Sequence, residues 1–249
     1  MGAIALIEPG RIAAFNKASE QVEALRENSR YSPVNESDLI RVKTPSGGQQ
    51  AWEISGPSGP EYVRELSGVV VYSGRRRILW GSKAIGSGER PVCSSDDCVN
   101  GEIREDGVPD ELLEAGMPGG KDGKCSGCPF NEWGSAVHDD GRQGKGKRCQ
   151  EREIVFFLPE NSILPLKMEV STGSLSVWDK FRKQLSQVPA TLRNSFIRLT
   201  LKKEESSTGV GYSQIVPEFV GKLSPDAVKG LDEYRSIFGD LFDKSQVDR

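Results

Sequence analysis

LSGVVVYSGRRRILW, residues 66–80, places two β-branched and aromatic runs on either side of Gly74. Such residues favour the pleated backbone, and a glycine inside the pattern permits a bend. The stretch reads as one long, bent strand or a tight hairpin. Downstream, EIVFFL (153–158) and PLKMEV (165–170) read as two strands separated by a turn at Pro159–Asn161. A helix from about Ser174 to Gln187 follows, with Leu175, Trp178, Phe181 and Leu185 along one face. SFIRLTLKKE (195–204) and YSQIVPEFVG (212–221) are two more strands, separated by the flexible SSTG. One long strand, two strands, a helix and two strands is the element order of an OB-fold. The expected fold class is therefore mainly β with α additions, built as a five-stranded OB-fold barrel. Its first loop carries a long insertion, and that loop and KKEESSTGVG are the two that OB-folds use to grip oligonucleotides.

Outward from this body, 63–221, the pattern weakens. In Pro9–Asn28, residues Ile12, Phe15, Val22 and Leu25 share one helical face, which predicts an amphipathic helix. LIRVK (39–43) and QAWEI (50–54) are expected to pair as a hairpin turned by Gly47 and Gly48, with SGPSGP (55–60) as a loop. Residues 1–62 thus form a helix and hairpin packed on the body. Residues 222–249 form a terminal helix that starts with Ser224 as N-cap and Pro225 at the first helical position and runs to about Asp243. Its apolar face is Val228, Leu231, Tyr234, Ile237, Phe238 and Leu241.

The insertion, 84–150, is glycine-rich and without apolar periodicity, so it is not a layer of the core. Every cysteine of the chain lies between Pro91 and Arg152, namely Cys93, Cys98, Cys125, Cys128 and Cys149, with the single histidine, His138. Cys125 and Cys128 form a CxxC whose Gly127 allows a tight turn. Cys149 with either Cys93 or Cys98 would complete the tetrahedral sulfur shell that zinc prefers. Buried thiols without an ion are the plainer alternative, but a polar loop offers isolated cysteines little to bury them. A catalytic zinc would need an open position, for which His138 beside Asp139 and Asp140 is the candidate; four thiols already close the shell. The deaminase pairing of HxE with PCxxC is missing. From Asp96 to Glu114 acidic residues outnumber basic ones eight to one, a run expected to be solvated and to extend away from any nucleic acid.

At 249 residues with net charge -3, any nucleic-acid site must be a local basic patch. No apolar run approaches the roughly 20 residues that span a bilayer, and MGAIALIEPGR is too short for a signal peptide. The expected location is the cytoplasm, where thiols favour metal over disulfides. Two basic clusters stand out. Arg142, Lys145, Lys147, Arg148 and Arg152 face Glu151 alone; they could offset the charge of a tetrathiolate zinc, about -2, or approach a phosphate, helped by Gly144 and Gly146. GKGKR lacks the Walker spacing. Arg75, Arg76 and Arg77 lie between Tyr72 and Trp80, a mixture of cations and rings that single-strand binders use; the alternative is that the rings are core and the arginines a charged edge. Trp133 and Phe130 could stack bases or pack over the cysteine loop, Trp52 is equally ambiguous, and Trp178 belongs to a buried helix face.

CSSDD (93–97), CSGCPFNEWGSA (125–136), GKGKRCQE (144–151), the following IVFFLP, and PLKMEVSTGSLSVWDKF (165–181) together resemble the zinc-containing single-stranded DNA-binding proteins encoded by bacteriophages. The likeness covers roughly the middle third of the chain. It implies structural Zn2+ held by Cys93, Cys125, Cys128 and Cys149, with Cys98 an extra thiol; the long acidic insert departs from the family pattern. It also implies a non-enzymatic, sequence-tolerant single-stranded DNA-binding protein acting in phage DNA replication or recombination, beside other proteins of those processes. Tyr72, Arg75, Arg76, Arg77, Trp80, Trp133, Lys145, Lys147, Arg148 and Arg152 are the candidate DNA contacts. A zinc-ribbon protein-interaction module is the main alternative. A zinc-containing nucleic-acid enzyme would need carboxylates clustered on regular elements, and the acids here lie chiefly in loops.

Overall fold

Near-continuous apolar spelling in VVV and IVFFL arises because these strands are buried on both faces. In the computed structural model, which describes residues 4–15, 27, 39–56, 59–81, 91–104, 108–137, 141–206 and 209–238, the chain divides into two units. One is Met1–Ser73 with Ile154–Ser245; the other is Gly74–Glu153 with Gln246–Arg249. Val22, Leu25, His138, Asp139, Asp140 and Leu241 lie outside the described residues.

The strands are β1 (Leu6–Ile7), β2 (Arg41–Val42), β3 (Trp52–Gly56), β4 (Gly59–Val63), β5 (Glu65–Leu79), β6 (Cys93–Ser95), β7 (Glu102–Ile103), β8 (Gln150–Pro159), β9 (Leu166–Val170), β10 (Ser195–Glu205) and β11 (Gly211–Leu223). The helices are α1 (Asp110–Ala115), α2 (Thr172–Leu185) and α3 (Pro225–Ile237). The protein is mainly β with some helix. Residues 65–79 resolve to one 15-residue strand rather than a hairpin.

In the first unit the strand order is β1-β11-β10-β5-β8-β9-β2. β10 is antiparallel to β11 and to β5, while β1 on β11 and β2 on β9 are parallel. The sheet is therefore mixed, and it is not closed. The five strands expected from sequence are β5, β8, β9, β10 and β11, with α2 between the third and fourth of them. What the path lacks is a β9–β11 pairing, the one contact that would turn these five into a ring. Instead α2 packs on both β9 and β11.

Alternation sorts the strand residues onto two faces. Leu66, Val70, Val155, Phe157, Ile197 and Leu199 share one cluster with Leu175, Trp178, Phe181 and Leu185 of α2. Each such apolar side chain contributes roughly 1.5–3 kcal/mol on burial. Val69, Val71, Ile154, Phe156 and Leu158 join the opposite cluster, covered by Ile7, Ile12 and Ala14 and by Ala227, Leu231, Tyr234 and Phe238. Ser224 caps α3, its Oγ accepting from the Ala227 amide at 3.2 Å, with Pro225 next in line. Trp52 is core, fully enclosed in the α2-side cluster.

One hairpin expectation changes. Gly47 and Gly48 do turn the chain, with φ of 68° and 79°, but the strands on either side do not pair. β2 joins the sheet at β9, and β3 pairs with β4 across residues 57–58, with Trp52 opposite Val63. Among the described residues, no helix is long and apolar enough to cross a membrane.

At Gly68 the backbone of β8 comes close to β5. A Cβ there would stand 2.1 Å from the Leu158 carbonyl oxygen and 2.9 Å from its carbon. Backbone cannot yield as a flexible side chain can, so Gly68→Ala must push the two strands apart. The expected result is a lower thermal midpoint, equivalent to about 1–3 kcal/mol of lost stability, read by circular dichroism melting; a midpoint equal to the wild type refutes the close approach.

Candidate metal centre and nucleic-acid face

The second unit, Gly74–Glu153, holds all five thiols. The far end of β5 pairs with β6, Leu79 opposite Cys93, and β6 pairs with β7, Cys93 opposite Ile103. Cys93 is thus fixed on the middle one of three strands. Cys125 opens a single 3-10 turn, Cys125–Gly127, and its amide donates to Val99 O at 2.8 Å. Asn131 Nδ2 closes the knuckle onto Cys125 O at 2.8 Å, and the Cys149 amide donates to Phe130 O at 2.9 Å. Leu79, Val92, Leu112 and Phe130 pack with Cys93 and Cys128 into a small core.

These constraints bring Cys93, Cys125, Cys128 and Cys149 to the wall of one cavity of about 10 Å³. That is the space of a single small particle. Cys98 is not on this wall. It sits at a left-handed backbone position, φ 61°, where Arg77 Nη1 donates to its carbonyl at 2.8 Å. The Gly119 amide donates to Cys128 Sγ at 3.3 Å, an N–H···S contact of the kind that supports a metal-bound thiolate. Gly120, at φ 63°, lets this loop close over the knuckle: a Cβ there would meet Gly127 O at 2.5 Å.

The sulfurs converge without standing as a finished ligand shell, since no group of three or more His, Cys, Asp or Glu side chains among the described residues meets the spacing for an ion. Protonated thiols have no attraction that would draw them to ligand distance, so the shared wall is the more telling feature. Burial, then the neighbouring sulfurs of Cys128 and Cys125, push the Cys93 thiol up to about 12. Burial and Cys128, Cys93 and Cys125 do the same to Cys149, also to about 12. Four cysteines on the wall of one cavity are the kind and number of donors that zinc takes.

The arginine run of β5 is engaged inside this unit. Arg75 pairs with Glu151 at 2.8 Å and Glu153 at 3.3 Å. Arg76 is 2% exposed and lies 3.6 Å from Asp96. Arg77 lines the thiol cavity and reaches Glu151 at 3.4 Å. Burial opposes its charge, but a hydrogen bond to the Cys125 sulfur and, at the high pH where a guanidinium titrates, the charges of Cys98 and Glu151 outweigh that and raise its pKa. Arg77 is thus a cation on the thiol wall, where offsetting the charge of the sulfurs is one of the two roles open to residues 142–152. Tyr72 packs edge-on against Phe156, ring centroids 5.8 Å apart, and Trp80 is half-buried.

Trp133 and the basic segment do come together. Gly134 donates its amide to Gly146 O at 2.9 Å, Ala136 to the same oxygen at 3.0 Å, and Gly144 to Ala136 O at 2.7 Å. This short ladder holds Lys145, Lys147 and Arg148 beside the NEWGSA stretch. Trp133 is 80% exposed, and Lys147 Nζ stands 5.4 Å from its ring centroid while donating to Asn131 Oδ1 at 3.0 Å. Phe130, three residues earlier, is buried, with the Arg148 guanidinium 5.8 Å from its ring. Arg142 and Lys145 are exposed; Arg152 Nη2 donates to Gln150 Oε1 at 2.8 Å.

The acidic stretch is more structured than expected. Asp97 accepts from the amides of Val99 and Asn100 at 2.7 and 2.8 Å, which holds its carboxyl far below the usual range. α1 within the run buries Leu112 against the small core. No family model matches this chain, and neither the curated proteins nor the solved structures compared with it give a match.

Proposed function

We propose that this chain is a sequence-tolerant single-stranded DNA-binding protein whose Gly74–Glu153 unit is stiffened by structural zinc on Cys93, Cys125, Cys128 and Cys149. The observation that carries the reading is Trp133, an indole left 80% exposed with the Lys147 ammonium beside its ring and Lys145 exposed close by. Exposing that much aromatic surface next to cations is costly in water and useful against an unpaired base, whose π-face stacks on the ring while Lys and Arg neutralise phosphates. Counterion release then makes affinity fall steeply with salt. In this reading β5, β8, β9, β10 and β11 are an OB-type set of five strands left open between β9 and β11. The protein would shield exposed strands during phage replication or recombination, in the cytoplasm of the host cell.

A protein-docking role has one observation in its favour: Val99, Leu113 and Met117 of the same unit are exposed, at 54%, 46% and 49%. Titration of Trp fluorescence with oligo(dT) and with duplex of equal length, at two salt concentrations, separates the two. DNA binding predicts quenching by the single strand, weakening with salt, and a loss of roughly 5- to 150-fold in Trp133→Ala, the cost of about 1–3 kcal/mol for one stacking partner. Absence of binding to either DNA would favour docking.

A further inference from the structure

In the Met1–Ser73 and Ile154–Ser245 unit, a cleft of about 390 Å³ lies among the middle of β5, the end of α2, residues 186–193 and α3. That volume falls in the range of small-molecule sites. Arg182, Arg193 and Arg235 line it, from three separate elements, and among the described residues no acidic side chain does. Asp232 answers two of them, 2.7 Å from Arg193 Nη2 and 3.9 Å from Arg235 Nη1.

Each guanidinium is held in place by a bond to the protein. Arg182 Nη2 donates to Ser73 Oγ at 2.6 Å, and Arg235 Nε donates to Val71 O at 2.5 Å. A guanidinium carries five N–H donors, so a side chain anchored by one of them still presents others. Each also has a local role: Arg182 and Arg235 stand in the last turns of α2 and α3, whose carboxyl ends they complement, and Arg193 makes a surface ion pair. Those roles do not require the three to line one cleft, and burial, and then the charge of Arg193, both work against the Arg235 guanidinium there.

We propose that this cleft binds a phosphate group carried by a nucleotide or by a nucleic-acid strand. Guanidinium forks match phosphate oxygens in pairs, and the hydroxyls of Ser186 and Thr191 supply donors on the same wall. Val70 and Leu192 give the wall an apolar part, suited to a sugar or base behind the phosphate. The site is independent of Trp133, which belongs to the other unit.

The test uses the full chain. Wild type, Trp133→Ala, Arg193→Gln and the double variant Arg182→Gln/Arg193→Gln are titrated calorimetrically with thymidine monophosphate, and in the Trp133→Ala background with oligo(dT). Arg193 is 62% exposed, so Arg193→Gln keeps the fold even where the double variant does not. The expected result is binding of at least one probe that survives Trp133→Ala and falls about tenfold or more in the arginine variants, the loss of a charge-assisted hydrogen bond. Equal affinity per site for monomer and oligomer identifies a free nucleotide as the ligand; binding of the oligomer alone identifies a strand. Failure of both probes to bind the wild type or the Trp133→Ala protein, or affinities unchanged in Arg193→Gln, overturns the proposal. The Trp133 reading stands or falls separately, on the fluorescence of Trp133→Ala.

Discussion

Purified Cys93→Ser is expected to retain no zinc and to melt its Gly74–Glu153 unit at low temperature, whereas Cys98→Ser keeps both the metal and the wild-type midpoint. The two cysteines are five residues apart, but Cys93 shares a cavity wall with Cys125, Cys128 and Cys149, and Cys98 does not. Position in the sheet explains the difference. Cys93 is pinned between β5 and β7, while Cys98 lies in the following turn with its carbonyl held by Arg77. The size of the effect follows from how little else holds this unit together: among the described residues its apolar cluster is Leu79, Val92, Leu112 and Phe130 around the thiols, with Val108 packed against it. Small units of that kind need a staple. Structural zinc supplies on the order of 10–16 kcal/mol of apparent binding energy in comparable small domains, so losing one of four ligands removes several kcal/mol. Atomic emission on the purified variants reads zinc per chain. Retention in Cys93→Ser with loss in Cys98→Ser would exchange the fourth ligand, and a wild type without tightly held metal would remove the centre altogether.

Local pattern carried the strands and helices but not the partners. β5, β8, β9, β10, β11 and α2 are legible because alternation, apolar runs and a helical face are properties of neighbouring residues. The missing β9–β11 contact is not legible, because ring closure depends on two edges 41 residues or more apart, and here α2 packs on both. The same limit explains the hairpin: Gly47–Gly48 is a sound turn signal, yet β2 finds its partner in β9. Arg75, Arg76 and Arg77 beside two aromatics suggested a binding strip. Their partners Glu151, Glu153 and Asp96 lie 20 to 78 residues along the chain, so a window around the run cannot see them. Phe130 and Trp133 are both aromatic residues of one loop, and contacts distant in sequence, the Cys149–Phe130 backbone bond and the packing of Phe130 on Leu79, Val92 and Leu112 among them, separate the buried ring from the exposed one. The cleft arginines come from three elements, and no linear motif joins them.

Loaded and chelated protein are expected to respond to pH with opposite sign. In the metal-free fold, Cys93 and Cys149 titrate near 12 rather than at the ordinary value of 9.0, because burial and neighbouring sulfurs oppose the thiolate. Between those limits the folded state holds more protons than the unfolded chain. Its stability is therefore fully present below about pH 9 and declines as pH rises toward 12. With zinc bound the sulfurs are thiolates in the folded state and thiols in the unfolded one at neutral pH. Now the unfolded chain holds more protons, and stability rises with pH and is lost on acidification. Thermal melts at half-unit steps from pH 5.5 to 10, with and without a strong chelator, display both slopes. At pH 7.5 chelation is expected to lower the midpoint of the Gly74–Glu153 unit by on the order of 20 °C, what several kcal/mol produces in a unit of this length. Acidification of the loaded protein should release zinc to a colorimetric indicator as the midpoint drops. Superimposable curves with and without chelator would mean that these thiols are simply buried, and the high pKa values would then mark a packed core in place of an ion.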